Sequence, residues 1–369
     1  MIVDSILSQI IPKQHTLRYI NKISNICPMF KKLYTLLFIS FSLAASAQDG
    51  TRVYEFLNLS NSARQAALGG YDVTTWDADP NNALANPALM NTEMHGQFAV
   101  NYVSHIADVK NATFSGVYQL SDYDFVSVNG QYVNYGDLVG TDEVGAITGN
   151  FKAQDAAITI GYAREIADYW SIGANLKYIN STIETYKSSA VAADIGVSYH
   201  DFDKNVRIGL VFKNIGKQIQ SYNQKEEDLP FQVNLGIAHQ LEHVPLELNL
   251  TLHDLQKFDI SQTYNKTGQE VGKGRKIADH LALGAELFPG RDFNLRLGYN
   301  FKRGNELAVD GIRSFSGLTY GFGIRMNAFR IEYGHSNFHT SGGANHFSLL
   351  INLDRLIQGR DYWRSNPWR

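Results

Sequence analysis

A two-residue alternation of apolar with polar or small side chains, returning segment after segment from about Gln97 to about Asp354, constrains this chain most. Phe293, Leu295, Leu297, Tyr299 and Phe301 alternate with Asn294, Arg296, Gly298, Asn300 and Lys302. Phe231, Val233, Leu235 and Ile237 alternate with Gln232, Asn234, Gly236 and Ala238. Successive side chains on a strand point to opposite faces, so each segment carries one greasy face and one polar or small face. Soluble sandwiches alternate too, but their strands run to about five or six residues. Here the segments reach about ten or more, the length a tilted strand needs to cross a bilayer. The greasy face then meets lipid and the polar face lines an interior. The predicted fold class is all-β, a transmembrane outer-membrane β-barrel.

Composition agrees. Charged residues are only 19%, and the 20 Tyr and 20 Phe suit aromatic girdles at the two membrane interfaces. A mean hydropathy of -0.23 is no objection, because half of every barrel strand is polar. No stretch after the leader holds 18 consecutive apolar residues, so helical spans are not expected.

The N-terminus reads as a processed leader. Met29-Phe30-Lys31-Lys32, the apolar stretch Leu33 to Leu43 and Ala45-Ser46-Ala47 make a basic region, a core and an A-x-A site. Cleavage is expected after Ala47, with Met29 as the initiator and residues 1–28 an upstream extension. The single cysteine, Cys27, would leave with it, so the mature chain is expected to have no thiol chemistry and no lipid anchor on Cys. The leader also takes five basic residues (Lys13, Arg18, Lys22, Lys31, Lys32) and Asp4 from totals of 33 and 36, leaving 28 and 35, net -7. An acidic chain without a basic stripe argues against nucleic-acid binding.

The organisation expected is a leader over 1–47, an N-terminal hatch over 48–94, a barrel over 95–354 and a tail over 355–369. In the barrel the alternation predicts strands at 97–106, 111–120, 124–135, 156–164, 170–183, 190–200, 206–214, 230–241, 245–258, 278–288, 292–302, 315–326, 328–339 and 344–354. That is about 14 antiparallel strands, an even number that puts both barrel ends on one rim. The long connections at 136–155, 215–229, 259–277 and 303–314 all follow odd strands, so they share the other rim, the side expected to face outside.

From Thr51 to about Glu93 the barrel rhythm is missing. Ser62 is placed to cap a helical turn through Leu68 that Gly69-Gly70 would end. Asp79-Pro80 and Asn86-Pro87 are turn signals, and small residues dominate, as in a segment packed inside a barrel. The tail carries Tyr362-Trp363-Arg364 and Pro367-Trp368-Arg369, suited to the headgroup level or a partner.

Catalytic signatures are absent: no HExxH, GxSxG, P-loop, post-strand GxGxxG or CxxC. His335 and His339 would suit zinc on a helix, but a strand separates them by about 13 Å. The pair His239 and His243 fares the same. Asp77-Ala78-Asp79 and Asp201-Phe202-Asp203 do not continue into a calcium loop and read as turn carboxylates. Neither enzyme activity, nor a cofactor, nor a metal is expected. Inward Arg296, Arg325, Glu286 and Glu332 are expected to pair in the lumen or with the plug. The cluster Lys273-Gly274-Arg275-Lys276 offers a loop contact to outer-membrane lipids and lipopolysaccharide.

Several stretches together resemble a known family. Tyr54-Glu55-Phe56-Leu57, Ser62 to Gly70 (SARQAALGG), Asn86-Pro87-Ala88-Leu89, Gly173-Ala174-Asn175-Leu176-Lys177, Lys213-Asn214-Ile215-Gly216 and His253-Asp254-Leu255-Gln256 are similar to the PorQ family of the Bacteroidetes type IX secretion system. That family belongs to the wider FadL-like barrel class, which shares versions of the first elements. The resemblance implies a fourteen-stranded barrel with a luminal hatch holding Arg64, Gly69, Gly70, Asn86, Pro87 and Ala88 as structural positions. It implies a non-enzymatic role in cargo export and surface attachment beside PorZ-like, PorU-like and PorV-like partners. The tail after the closing strand departs from barrels that end on that strand. The alternative expectation is a FadL-like transporter of hydrophobic small molecules.

Overall fold

A computed structural model describes residues 52–105, 108–262, 270–307, 315–339 and 342–358. The expected leader and the Trp-containing tail segments lie outside these residues.

Fourteen antiparallel strands follow one another in sequence order and close into a barrel. They are β1 Gln97–Ser104, β2 Lys110–Gln119, β3 Asp124–Thr141, β4 Ile147–Ala167, β5 Trp170–Ile183, β6 Tyr186–Asp201 and β7 Val206–Gln220. Then come β8 Gln232–Gln240, β9 Leu246–Leu252, β10 Leu281–Leu287, β11 Phe293–Asn300, β12 Leu318–Met326, β13 Phe329–His339 and β14 Gly342–Asn352. Closure is made by β1 on β14, from Gln97 opposite Asn352 to Ser104 opposite Asn345.

The alternation sorts as the sequence predicts, and the sorting is inverted relative to a soluble protein. On β5, Leu176 is 63% exposed while its neighbours Asn175 and Lys177 are 2% and 3% exposed. Val128, Ile158, Ile160, Leu248 and Leu297 repeat the outward pattern, and Asn129, Thr159, Asn249 and Gly298 the inward one. So large a belt of exposed aliphatic surface is stable only against lipid.

The structure corrects several boundaries. The expected loop 136–155 is mostly strand: β3 and β4 stay paired out to Thr141 opposite Ile147, with register shifts near Asn134–Asp137 and Gly140–Thr141. Because β2 begins opposite Asn134, β3 beyond it has only β4 as a neighbour, and this hairpin stands proud of the rim. Both faces there are solvated, so no in–out alternation marks it as strand. β7 likewise continues to Gln220. In the other direction β9 ends at Leu252 rather than 258, because Asp254 takes φ +58° and turns the chain. β11 gives way at Asn300 to a helix, Phe301–Glu306, whose first turn Asn300 caps through the Arg303 N–H. The basic cluster 273–276 is not a free loop but lies on a helix, Lys273–Ala278, where Lys276 pairs with Asp259 and Arg275 donates to the Asn305 carbonyl at 3.1 Å.

Candidate functional site: a latched plug in the lumen

The plug runs the length of the lumen. At the long-connection mouth Arg52 bridges Asp228, and Val53 N–H donates to the Asp228 carbonyl at 3.1 Å. At the short-turn mouth Gly96 leads into β1, and its carbonyl accepts from Leu353 N–H at 2.9 Å. Between them the small residues build tight turns. Ser62 accepts from Gln65 N–H at 3.2 Å and starts helix Ala63–Ala67; Gly69 and Gly70, at φ +93° and +89°, end it. Only glycine adopts that geometry without strain. A second short helix, Asn82–Ala85, is followed by Asn86, whose side chain caps the turn Pro87–Leu89 through Ala88 N–H at 3.1 Å and donates to the Val73 carbonyl at 3.2 Å.

Glycines in the wall make room for this backbone. Gly173 faces Gly196, Gly209 faces Gly236, Gly284 faces Gly298 and Gly321 faces Gly334 across paired strands. A Cβ on Gly173 would meet the Pro87 backbone at 2.5 Å, one on Gly236 Thr74 at 2.7 Å, and one on Gly284 Leu68 at 3.0 Å. Gly209 lies against the Val73 carbonyl, Gly298 against Gly69, and Gly334 against the Ala63 carbonyl. Polar wall residues complete the fit: Thr319 Oγ1 accepts from Gly69 N–H at 3.0 Å, Asn300 donates to the Gly69 carbonyl at 3.1 Å, and Asn175 donates to the Ala83 carbonyl at 2.9 Å.

A ring of alternating charge ties plug to wall. Arg64 contacts Asp77 and sits 2.7 Å from Glu286; Glu286 is 3.3 Å from Arg296; Arg296 is 2.9 Å from Glu332. Glu332 is 2.7 Å from Arg330, and Arg330 returns to Asp77 at 3.3 Å. Three cations and three carboxylates balance, with Arg64 and Asp77 on the plug and the others on β10, β11 and β13. Such buried pairs add little net stability, but removing one member strands a charge. The ring therefore fixes where the plug sits. Within the plug, burial alone would raise Asp77, but Arg64 and Arg330 hold its carboxyl well below the usual range. Its neighbour Asp79 goes the other way: burial, then the charges of Glu332 and Asp77, push it up to about 7.

Nearer the Asp228 mouth the contact is apolar. Tyr54, Phe56 and Leu57 pack on Val133, Ile179 and Ala192, and Gln131 donates to the Phe56 carbonyl at 2.8 Å. A concavity of about 550 Å³ lies elsewhere, lined by Ile237, Leu248, Leu250, Leu283 and Leu297 of β8–β11, which belong to the lipid-facing set.

The hatch residues named from the sequence have distinct places. Arg64 enters the charge ring, Gly69 and Gly70 turn the chain against β11 and Arg303, and Asn86, Pro87 and Ala88 press on Gly173 and Gly196. Of the inward charges, Glu286, Arg296 and Glu332 meet in the ring, whereas Arg325 sits at the rim and donates to the Gly290 carbonyl at 3.3 Å. Asp77 is no ordinary turn carboxylate, since it closes the ring. His335 is directed outward beside Tyr320, and His239 meets the Asn205 carbonyl at 3.1 Å. Among the described residues no group of three or more His, Cys, Asp or Glu gathers as a metal site. Sequence reading missed Asp77, Arg330 and the wall glycines. The glycines did leave a signal: they occupy inward positions one per strand.

No family model matches the chain, and no curated protein matches it. Solved structures do. The toluene transporter TbuX of Ralstonia pickettii aligns with TM-score 0.50 at 13% identity over 80% of this chain and 98% of that one. The Pseudomonas putida toluene transporter TodX aligns with TM-score 0.51 at 13% identity, over 81% and 98%. A Pseudomonas aeruginosa FadL homologue aligns with TM-score 0.50 at 12% identity, over 82% and 100%. At such identities the likeness is one of fold. This protein is an integral outer-membrane β-barrel of FadL-like fold.

Proposed function

We propose that this barrel is a plugged outer-membrane scaffold that serves type IX secretion, anchoring or exposing a PorZ-like partner, with PorU-like and PorV-like proteins, for the surface attachment of cargo. The observation that carries the reading is the plug itself. It occupies the lumen from the Asp228 mouth to Gly96, touches wall glycines backbone to backbone and is pinned by six alternating charges. A lumen largely occupied by its own chain directs attention to the outer surface, where the β3–β4 hairpin stands clear of the rim. The sequence words shared with the PorQ family point the same way. No catalytic role is assigned, and lipid contact is made by the outward belt.

A second reading has its own support: a FadL-like transporter of hydrophobic small molecules, in which the plug is a gate. The structural comparisons favour this reading over the secretion role, since two of the neighbours bear the name toluene transporter. One pair of assays separates them. In a clean deletion strain, type IX cargo is assayed on the surface, in the periplasm and in the medium, and toluene uptake is measured in parallel. Mislocalised cargo restored by complementation supports the scaffold. Normal cargo display with slowed toluene uptake discards it in favour of transport.

A further inference from the structure

Beside the plug at Gly70, a cationic group has no carboxylate. Arg303, on the helix Phe301–Glu306, lays its guanidinium over the Phe338 ring at 4.7 Å. It also reaches the plug, since a Cβ on Gly70 would lie 2.8 Å from its Nη2. The Phe338 contact compensates charge only weakly and supplies no hydrogen-bond acceptor. Among the described residues Arg303 enters no ion pair, and its Nη1 is enclosed without a hydrogen-bond partner. The nearby acid Glu306 faces Lys302, Asp279 and Arg275 instead.

The walls around it are polar and likewise unanswered. His346 is 3% exposed, and both its ring nitrogens lack partners. Its ring centre is 6.1 Å from that of His105, whose Nε2 is also unpartnered and whose ring lies 6.3 Å from Phe338. Ser336 Oγ on β13 and both amide atoms of Asn111 on β2, at 1% and 0% exposure, are in the same state. All four strands concerned, β13, β14, β1 and β2, are consecutive around the barrel. His346 lies opposite Val103, Val103 lies opposite Asn111, and Ser336 is two residues beyond Gly334, the β13 partner of His346. Buried donors without acceptors are costly, and these groups share one stretch of inner wall that suits a negatively charged group.

We infer that this part of the lumen, between β13, β14, β1, β2 and the helix Phe301–Glu306, binds an oxyanion, a carboxylate or phosphate group, with Arg303 as its counter-ion and His346, Asn111 and Ser336 as hydrogen-bond partners. Arginine suits the task because its planar fork meets two oxygens at once. The charge ring does not compete for the ligand, since its own charges cancel. The inference holds under either functional reading.

The test uses the mature protein in a non-ionic detergent, with thermal unfolding followed against inorganic phosphate, dodecyl phosphate and, at matched ionic strength, chloride. A ligand that binds only the folded state raises the midpoint in a saturable way. Arg303→Met is expected to raise the half-saturating concentration at least about tenfold, roughly one charge-assisted contact. Saturation by phosphate alone makes the ligand a free anion; saturation by dodecyl phosphate alone makes it the head of a larger amphiphile. Both support the site. It is overturned if neither exceeds chloride, or if Arg303→Met binds as tightly as the unaltered protein. Should Arg303→Met fail to fold, His346→Phe removes two unpartnered nitrogens at nearly constant shape and carries the same expectation.

Discussion

Arg64 of the plug and Glu286 of β10 meet at 2.7 Å with their side chains 4% and 0% exposed, so the plug's position is written into one buried ion pair and the ring it belongs to. Glu286→Gln should cost about 3–5 kcal/mol, because Arg64 and Arg296 then share too few carboxylates in a dry site. The loss should fall on the plug rather than the barrel. Limited proteolysis should cleave the variant within residues 52–96 while the barrel remains folded. The double variant Arg64→Met with Glu286→Leu, which removes one charge of each sign, should recover much of the protection. Recovery absent, with both variants equally loose, would mean the ring does not position the plug.

The wall glycines make a second, independent claim. Gly173 approaches the Pro87 backbone so closely that a Cβ would sit 2.5 Å away. Gly173→Ala must push the plug or bend β5, at about 1–3 kcal/mol. Gly116, where the nearest atom to an added Cβ is a Phe98 ring carbon at 3.4 Å, should accept alanine at little cost. Thermal midpoints of the two variants side by side decide it, and equal midpoints would refute the close approach.

Asp79 gives the plug a pH dependence of unusual sign. Burial first, and then the charges of Glu332 and Asp77, raise its carboxyl to about 7, whereas an unfolded aspartate titrates near about 3.9. Between those values the folded protein holds a proton that the unfolded chain has lost. Its contribution to stability is therefore fully present below about 4, declines as pH rises and levels off above about 7, by at most about 1.4 kcal/mol per unit. Asp77, held low by Arg64 and Arg330, contributes in the opposite sense, and its contribution is lost only in stronger acid. Asp79→Asn should consequently outlast the unaltered protein at pH 8 and lose that advantage by pH 4. Unfolding midpoints across that range check the prediction; an advantage independent of pH would rule it out.

How far the sequence foretold this depends on which force shaped each part. Membrane strands obey a strict in-out rule, so Phe293 to Tyr299 or Ile172 to Tyr178 are legible residue by residue. Where β3 and β4 rise beyond the lipid both faces meet water, and Val139, Asn150 and Lys152 carry no alternation to read. The short-range turns were legible too, because Ser62, Gly69 and Asn86 act through neighbours in the chain. The ring was not. Arg64 and Glu286 are far apart in sequence, and Asp77 in isolation looks like any turn aspartate; only closure of the barrel brings them together.

The inside-out assignment is open to a direct test at Leu176, near the middle of β5. It pairs with Ile160 and Ala193 across neighbouring strands, and both it and Ile160 are largely exposed, at 63% and 59%. One residue away, Lys177 is buried on the luminal side and reaches Asp194 at 2.8 Å. A charge is thus native on one face and foreign to the other. Leu176→Arg should lower stability in lipid vesicles by about 2–4 kcal/mol, the cost of a guanidinium near the bilayer midplane. Leu176→Phe keeps the face apolar and should change stability by less than about 1 kcal/mol, since the ring projects into fluid lipid rather than a packed core. Folding into vesicles under a urea titration measures both. If arginine were as well tolerated as phenylalanine, this face would be in water, and the membrane placement of β5 would fall with it.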